Sequence, residues 1–121
     1  MARQLQSTMT EEGTVVLGIA EVEVPEPAPD QVLIRVEAAP INPSDLGPMF
    51  GPADLRTLRA EGDTLVADIP EQLRGMVAPR LGRAMPMGNE GAGTVVAAGD
   101  SDAARGLLGK GVATWGGEMY A

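Results

Sequence analysis

Glycine and proline interrupt this chain at short intervals and leave little room for long helices. Its 121 residues include 16 glycines and 10 prolines, but only one tryptophan, one tyrosine and one phenylalanine. Because glycine and proline favour turns, we expect short strands joined by many turns. With so few aromatic side chains, the core must consist of valine, leucine, isoleucine, alanine and methionine. The length suits one domain with a single core.

Three segments of the chain have the pattern of strands. The clearest is 31–39, where Val32, Ile34 and Val36 occupy alternate positions after the proline-rich connection 25–30. Such alternation is typical of a strand with one buried face. Residues 14–24 predict a strand pair or one long bent strand. The glycine-rich stretch 87–93 is expected to lead into a buried strand at 94–98.

Two further segments complete the expected elements. A last strand is predicted at Val112–Trp115. Residues 53–83 differ in character, because Asp54 and Asp68 are suited to cap helices and Pro70 suits an early helical position. We therefore predict two short helices there, the second ending near Pro79. This segment carries five of the nine basic residues, which predicts either a phosphate contact or a solvated helical surface with ion pairs.

Residues 41–48 are predicted to form a turn that presents Asn42. Proline at position 43 keeps Asn42 out of the helical region, and the side chains of Asn42 and Asp45 can bond to nearby backbone amides. Both residues are therefore candidates either for an active site or for simple turn formation. Asn89 and Glu90 have the same two interpretations: Asn89 suits a left-handed turn, and Glu90 suits a carboxylate that holds a loop.

The composition excludes several classes of function. The net charge of −8 opposes binding to nucleic acid or to anionic lipid. The absence of cysteine and histidine removes disulfides, thiolate or imidazole metal ligands, and nucleophilic triads. The longest apolar run, 15–20, is far shorter than the roughly 20 residues of a membrane span, so we expect a cytoplasmic protein without a membrane partner.

The order of several motifs resembles the N-terminal domain of medium-chain dehydrogenases/reductases. These motifs are Pro25–Pro29 followed by Gln31–Val36, then Asn42-Pro43-Ser44-Asp45, then Gly88–Gly93, then Gly109–Ala113. The resemblance covers nearly the whole chain apart from residues 53–83, which look like an insertion between the second and third of these motifs. It implies a mainly β fold, namely a GroES-like, partly open β-barrel with a few short helices.

The resemblance also implies a chemistry. Zinc alcohol dehydrogenases of this superfamily carry a cysteine and a histidine where Asn42 and Asn89 align here, so no catalytic zinc is expected. The zinc-free members that this chain resembles reduce quinones or activated enones with NADPH or NADH. In them the asparagine of the Asn-Pro-x-Asp element lines the cleft near the nicotinamide. This implies catalytic roles for Asn42, Asp45, Asn89 and Glu90, and cofactor contacts from Asn42 and Pro43.

The resemblance places the nucleotide-binding half of the enzyme outside this chain. Neither Gly91-Ala92-Gly93 nor Gly109-Lys110-Gly111 fits a dinucleotide fingerprint or a phosphate loop. We therefore expect a Rossmann domain after Ala121, an exposed apolar flank near 112–121 where it docks, and a homodimer for the full-length enzyme. By itself this chain is expected to be inactive.

Two alternatives remain open from the sequence. The chain also resembles 2-enoyl thioester reductases, but these carry a catalytic tyrosine shortly after the first motif, where this chain has Met49–Ala53. Its single tyrosine, Tyr120, lies elsewhere. The other alternative is a stand-alone GroES-like binding domain with no catalytic activity.

Overall fold

A computed structural model describes residues 1–116 as two antiparallel sheets with three short helical segments. The elements, in order along the chain, are β1 (Ala2–Met9), β2 (Thr14–Val22), β3 (Val32–Ala38), α1 (Pro43–Phe50), β4 (Asp54–Glu61), β5 (Thr64–Asp68), a 3₁₀ helix (Glu71–Arg80), β6 (Ala84–Pro86), β7 (Glu90–Ala98), α2 (Asp102–Arg105) and β8 (Gly111–Trp115). One sheet has the order β4-β5-β2-β1-β6, and the other has the order β3-β7-β8. The predicted mainly β, partly open barrel is confirmed.

The core lies on the five-stranded sheet. One buried cluster consists of Met9, Val15, Ala67, Ile69 and Val77, and a second of Leu17, Met49 and Met87. Phe50 of α1 packs against both clusters. As the composition predicts, the buried side chains of both clusters are aliphatic or methionine. Methionine suits this role because its flexible, unbranched side chain fills irregular gaps.

A buried hydroxyl fixes α1 to this sheet. Ser7 of β1 is fully buried, and its Oγ donates to the carbonyl oxygen of Met49 over 2.7 Å. The carbonyl belongs to the last turn of α1, where helical carbonyls lack intrahelical partners. Ser7 therefore ties the end of α1 to the central part of β1.

The strands expected from alternation are present. Residues 31–39 form β3, residues 14–24 contain the single strand β2, and the last predicted strand is β8. Strand β7 begins at Glu90, earlier than expected, because the glycines at 91 and 93 are part of the ladder. Strand β1 was not predicted. It pairs with both β2 and β6 and buries Ser7 and Met9.

The prediction of two helices in 53–83 is wrong for the first and partly right for the second. Residues 54–68 form the hairpin β4–β5, turning at Gly62 with φ of 60°. Leucine and arginine favour helices, but that local preference is outweighed by pairing with β5 and by the burial of Val66 and Ala67. The second segment is helical but of the 3₁₀ type, with Val77 buried.

The turn predicted at 41–48 is also wrong. Residues Pro43–Phe50 form helix α1, with Asn42 as its N-cap in an extended conformation (φ −96°, ψ 153°). Proline is tolerated at the first helical position, since the N–H that it lacks has no intrahelical partner there. Pro48 lies inside the helix, which is nevertheless held by the burial of Asp45 and Met49. Asn42 stays outside the helix, as the sequence indicated.

An apolar groove of about 660 Å³ opens where β3 faces the start of β1 and the end of β2. Its lining includes Val22, Val32, Ile34 and Val36. These β3 residues are only half-buried. The two sheets therefore do not close into a sealed barrel on this side.

Candidate functional site

The start of α1 is ordered by the carboxylate of Asp45. The backbone N–H of Asn42 donates to Asp45 Oδ2 over 2.7 Å, and the Asp45 N–H donates to the Asn42 carbonyl oxygen over 2.9 Å. A carboxylate at the third helical position satisfies a backbone donor that the helix itself leaves unpaired. Asp45 is only 2% exposed, which makes these contacts strong and selective.

The same carboxylate reaches across to the loop before β7. Asn89 Nδ2 donates to Asp45 Oδ1 over 2.7 Å. The carbonyl oxygen of Asn89 in turn accepts from the N–H of Gly116, over 2.8 Å. Asp45 and Asn89 therefore join α1, the loop before β7 and the end of β8.

A second side-chain hydrogen bond joins the N-cap of α1 to β7. Asn42 Nδ2 donates to Glu90 Oε2 over 3.0 Å, at the solvent-exposed side of the cluster. Glu90 is the first residue of β7, so its backbone is held by the ladder while its carboxylate stays accessible. Because a carboxylate accepts hydrogen bonds, this bond turns the NH₂ group of Asn42 toward Glu90 and its oxygen away.

The structure brings together the four predicted catalytic residues. Asn42, Asp45, Asn89 and Glu90 form one group, called here the Asn–Asp cluster, that joins α1 to the start of β7. Pro43, predicted to contact the cofactor, is exposed at the first position of α1. Asp45 is buried, Asn42 and Asn89 are half-buried, and Glu90 is exposed.

An open groove of about 770 Å³ adjoins the exposed side of the cluster. Its lining consists of Ala38, Ala39, Pro40, Glu90, Gly91, Ala92, Ala113, Thr114 and Trp115. Most of these side chains are small, and Glu90 is the one charged group among the lining residues of the described range 1–116. We call this the β7–β8 groove.

Sequence reasoning did not identify Trp115 as part of a site. It lies directly across the ladder from Glu90 and is 85% exposed. The signal available in the sequence was that Trp115 is the single tryptophan of the chain and ends a predicted strand. The apolar flank expected at 112–121 thus includes exposed Trp115, while residues 117–121, with Tyr120, lie outside the described part of the chain.

The arginines of the β4–β5 hairpin are engaged in ion pairs. Arg56 contacts Asp54 at 3.0 Å, and Arg59 contacts both Glu61 and Asp68 at 3.1 Å. Hydrogen bonds to these carboxylates raise the pKa of Arg56 and Arg59. The pairs belong to a solvated hairpin surface, in place of the helical surface that the sequence suggested, and they lie in the sheet that does not contain the Asn–Asp cluster.

Within residues 1–116, no three histidine, cysteine, aspartate or glutamate side chains come close enough together to hold a metal ion. No helix in that range is long and apolar enough to cross a membrane.

The fold and the cluster together define a class of domain. It is a small, antiparallel, partly open barrel in which helix α1 and the start of strand β7 meet at a polar cluster. A groove lies beside this cluster. Residues 28–118 match the family model of the alcohol dehydrogenase GroES-like domain. The matched range is well over half of the 121-residue chain. The chain therefore belongs to this family of alcohol dehydrogenase-like oxidoreductases, and the predicted N-terminal GroES-like domain is confirmed.

Proposed function

We propose that this chain is the substrate-side domain of an NAD(P)H-dependent oxidoreductase that reduces quinones or activated enones without zinc. The observation that carries the proposal is the bond from Asn42 to Glu90 at the edge of the β7–β8 groove. It holds a neutral amide, with one N–H engaged by Glu90 and a second N–H on the same nitrogen, beside a space large enough for a small conjugated substrate.

The residues present do not fit a catalytic zinc. At the two positions where zinc enzymes of the superfamily carry ligands, this chain has Asn42 and Asn89, whose amide nitrogens donate to Glu90 and Asp45. Their oxygens are uncharged and hard, unlike the thiolate and imidazole donors that zinc prefers. The sequence contains no cysteine or histidine to replace them. No step of the proposed reaction therefore passes through a metal.

The β7–β8 groove is large enough for the reacting end of a nicotinamide cofactor and a substrate. Asn42, which is bonded to the groove residue Glu90, and the adjacent Pro43 would contact the cofactor. NADPH or NADH would supply the hydride. The bulk of the cofactor requires another domain. Gly91 and Gly93 lie within β7, and Gly109 precedes β8, so neither glycine pair opens a helix that could hold the pyrophosphate. We propose that a Rossmann domain following this chain binds it.

Within this arrangement each residue has a defined task. The second N–H of the Asn42 amide donates to the substrate carbonyl oxygen, where negative charge develops as hydride arrives. Glu90 holds that amide in orientation. Asp45 and Asn89 position the backbone on which Asn42 stands and do not contact the substrate. After a quinone accepts the hydride, one proton from water completes the hydroquinone, so no protein acid is needed.

Because quinone reduction needs no protein proton donor, the residues present favour quinones over enoyl thioesters as substrates. The tyrosine that serves enoyl thioester reductases has no counterpart in α1 or the residues just after it, which are Met49–Ala53. Met49 is buried and Phe50 half-buried, and neither can transfer a proton. A substrate that needs no positioned proton donor matches these residues better.

The test begins with the full-length protein expressed from its own gene. We expect an intact mass well above the 12.5 kDa of this chain, and NADPH oxidation with 1,4-benzoquinone. A chelator such as 1,10-phenanthroline should leave the rate unchanged. A protein of 12.5 kDa that binds no nucleotide would instead establish the stand-alone binding domain.

Asn42→Ala in the full-length enzyme tests the assigned residue. Loss of one hydrogen-bond donor to a developing oxyanion lowers kcat by about 100-fold. Ser44→Ala is the matched control, since Ser44 is an exposed residue of the same first turn and should retain wild-type kcat. Unchanged turnover in Asn42→Ala would falsify the role assigned to Asn42.

A further inference from the structure

Trp115 is the most exposed large apolar side chain in residues 1–116, at 85% of its full accessible area. It is also the only tryptophan of the chain. Large aromatic side chains usually bury most of their surface, because each covers a large apolar area. An indole left open on a strand therefore suggests that something binds against it.

The strand pairing places the Trp115 indole beside the Asn–Asp cluster. Trp115 and Glu90 are directly opposite in the β7–β8 ladder, and directly opposed side chains project from the same face with Cβ atoms about 5 Å apart. Glu90 in turn accepts from Asn42. The indole and the Asn42 amide thus flank the same carboxylate.

Among the other β7–β8 groove residues that the structure describes, none offers a comparable surface. The other apolar lining residues are alanine, glycine and proline, with Thr114 and Glu90 as the polar ones. Within residues 1–116, Trp115 is the only extended planar group on these walls. Its strand, β8, makes five consecutive pairs with β7, and the next residue, Gly116, donates to the Asn89 carbonyl oxygen.

We propose that Trp115 determines substrate specificity by stacking on the flat ring of a conjugated substrate while Asn42 donates to its carbonyl oxygen. The inference rests on the proposed function and narrows it to fused-ring quinones in preference to small puckered enones. A planar ring offers the indole a full face, whereas a puckered ring with sp³ carbons offers only edges. The indole needs little ordering for this contact, because tryptophan has only two rotatable side-chain bonds.

The experiment compares two substrates in the full-length enzyme, 1,4-naphthoquinone and 2-cyclohexenone, with the variants W115L and W115F. W115L should raise KM for naphthoquinone about three- to tenfold, the effect expected from losing one aromatic stacking contact, with kcat little changed. Its KM for 2-cyclohexenone should change less than about twofold, because leucine keeps apolar contact. W115F, which restores a ring, should recover most of the naphthoquinone KM.

Leu108→Ala serves as the control for removing an exposed apolar side chain elsewhere. Leu108 is 55% exposed and does not line the β7–β8 groove, so both KM values should stay at wild type. If the wild type turns over naphthoquinone but KM is unchanged in W115L, the role of Trp115 is overturned while the proposed function stands. If W115L raises KM equally for both substrates and for NADPH and also lowers Tm, the indole docks the following domain. This outcome too overturns the role of Trp115 in specificity. Absence of turnover in the wild type refutes the proposed function, and the inference with it.

Discussion

Asp45 is the residue that keeps the candidate site in order. Its carboxylate is buried, and it accepts from the Asn42 backbone through one oxygen and from the Asn89 side chain through the other. A buried carboxylate is costly unless its hydrogen bonds compensate for lost hydration. The position of Asn42 relative to β7 therefore depends on this one side chain.

Replacing Asp45 by alanine should destabilise the chain by about 2 to 3 kcal/mol. The substitution leaves a helix N-cap amide and the Asn89 amide without their acceptor, and each buried unpaired donor carries a penalty of about 1 kcal/mol or more. Urea unfolding of the 121-residue chain measures the change. Asp63→Ala at the exposed hairpin tip should cost less than about 0.5 kcal/mol. Equal losses in the two variants would show that the bonds of Asp45 contribute nothing net.

At the scale of elements, close backbone contact between β3 and β7 restricts position 93. A side-chain carbon on Gly93 would collide with the backbone carbonyl of Arg35 on the neighbouring strand. This occurs in a ladder whose register shifts between Leu33 and Ile34 and again between Val36 and Ala38. Glycine is required here because of its small size, and no special backbone angle is involved.

Gly93→Ala should therefore lower the free energy of unfolding by about 2 to 3 kcal/mol, since the strands must separate to admit the methyl group. Gly111→Ala is the matched control in the adjacent strand β8, where nothing lies within 4 Å of the added carbon. That substitution should be neutral or stabilising by up to about 1 kcal/mol, because alanine restricts the unfolded chain. Thermal unfolding of both variants provides the comparison, and a tolerated Gly93→Ala would contradict the tight approach.

The β4–β5 hairpin should make a small pH-dependent contribution to the free energy of unfolding. Hydrogen bonding and charge from Arg56 lower the pKa of Asp54 in the folded chain below its ordinary value of 3.8. A carboxyl with a lowered folded-state pKa stabilises the fold above its unfolded-state pKa, and this contribution disappears as the pH falls through the folded-state value. The effect is small because Arg56 is exposed to solvent.

The measurement compares Asp54→Asn with the wild type by urea unfolding between pH 7 and pH 2. The wild type should be the more stable at neutral pH, and the difference should shrink below pH 3.8. Asp63→Asn, which removes a carboxylate from the exposed tip of the same hairpin, is the control for the loss of one negative charge there. A difference that grows on acidification has the wrong sign for this mechanism.

Element prediction from the sequence succeeded where one local pattern dominates and failed where distant pairing decides. Strand β3 was predicted because alternation and flanking prolines agree. Strand β4 was not, since Leu55–Arg59 has helical propensity and becomes a strand only through its partner β5. Strand β1 has no strong alternation at its start, and its identity depends on pairing with both β2 and β6.

The candidate site was predictable in its members but not in its geometry. The Asn-Pro-x-Asp and Gly-Asn-Glu-Gly segments marked Asn42, Asp45, Asn89 and Glu90, and the structure joins them by hydrogen bonds. That Asp45 would be buried, with Glu90 exposed, could not be deduced from residue types. Trp115 could not be connected with Glu90 before the register of β7 and β8 was known.

For the molecule as a whole, the two sheets differ in how much apolar surface they bury. Both buried clusters belong to the five-stranded sheet and the helical segments on it. Among described residues of the three-stranded sheet, Val95 is the only buried apolar side chain larger than alanine. The stability of the domain is therefore concentrated at β1, β2 and β5.

Hydrogen exchange should reveal this difference. Local opening costs less free energy where few apolar contacts are lost, so exchange is faster there. Ladder-bonded amides of β8, an outer strand of the three-stranded sheet, should exchange at least about tenfold faster than those of β2, which lies between β1 and β5. The central strand β7 is the internal reference, with intermediate rates. Uniform protection across all strands would show that the domain opens as one unit.

The tip of the β4–β5 hairpin is a suitable position for a spectroscopic label. The turn at Gly62 has no heavy atom within 4 Å of the place where a side chain would begin, and neighbouring Asp63 is exposed. Because the chain contains no cysteine, Asp63→Cys creates a single thiol for a dye or a spin label. A label there lies at the turn of the outer hairpin of the five-stranded sheet and not among the residues that line the β7–β8 groove, so it can follow ligand binding in that groove without altering the groove's walls.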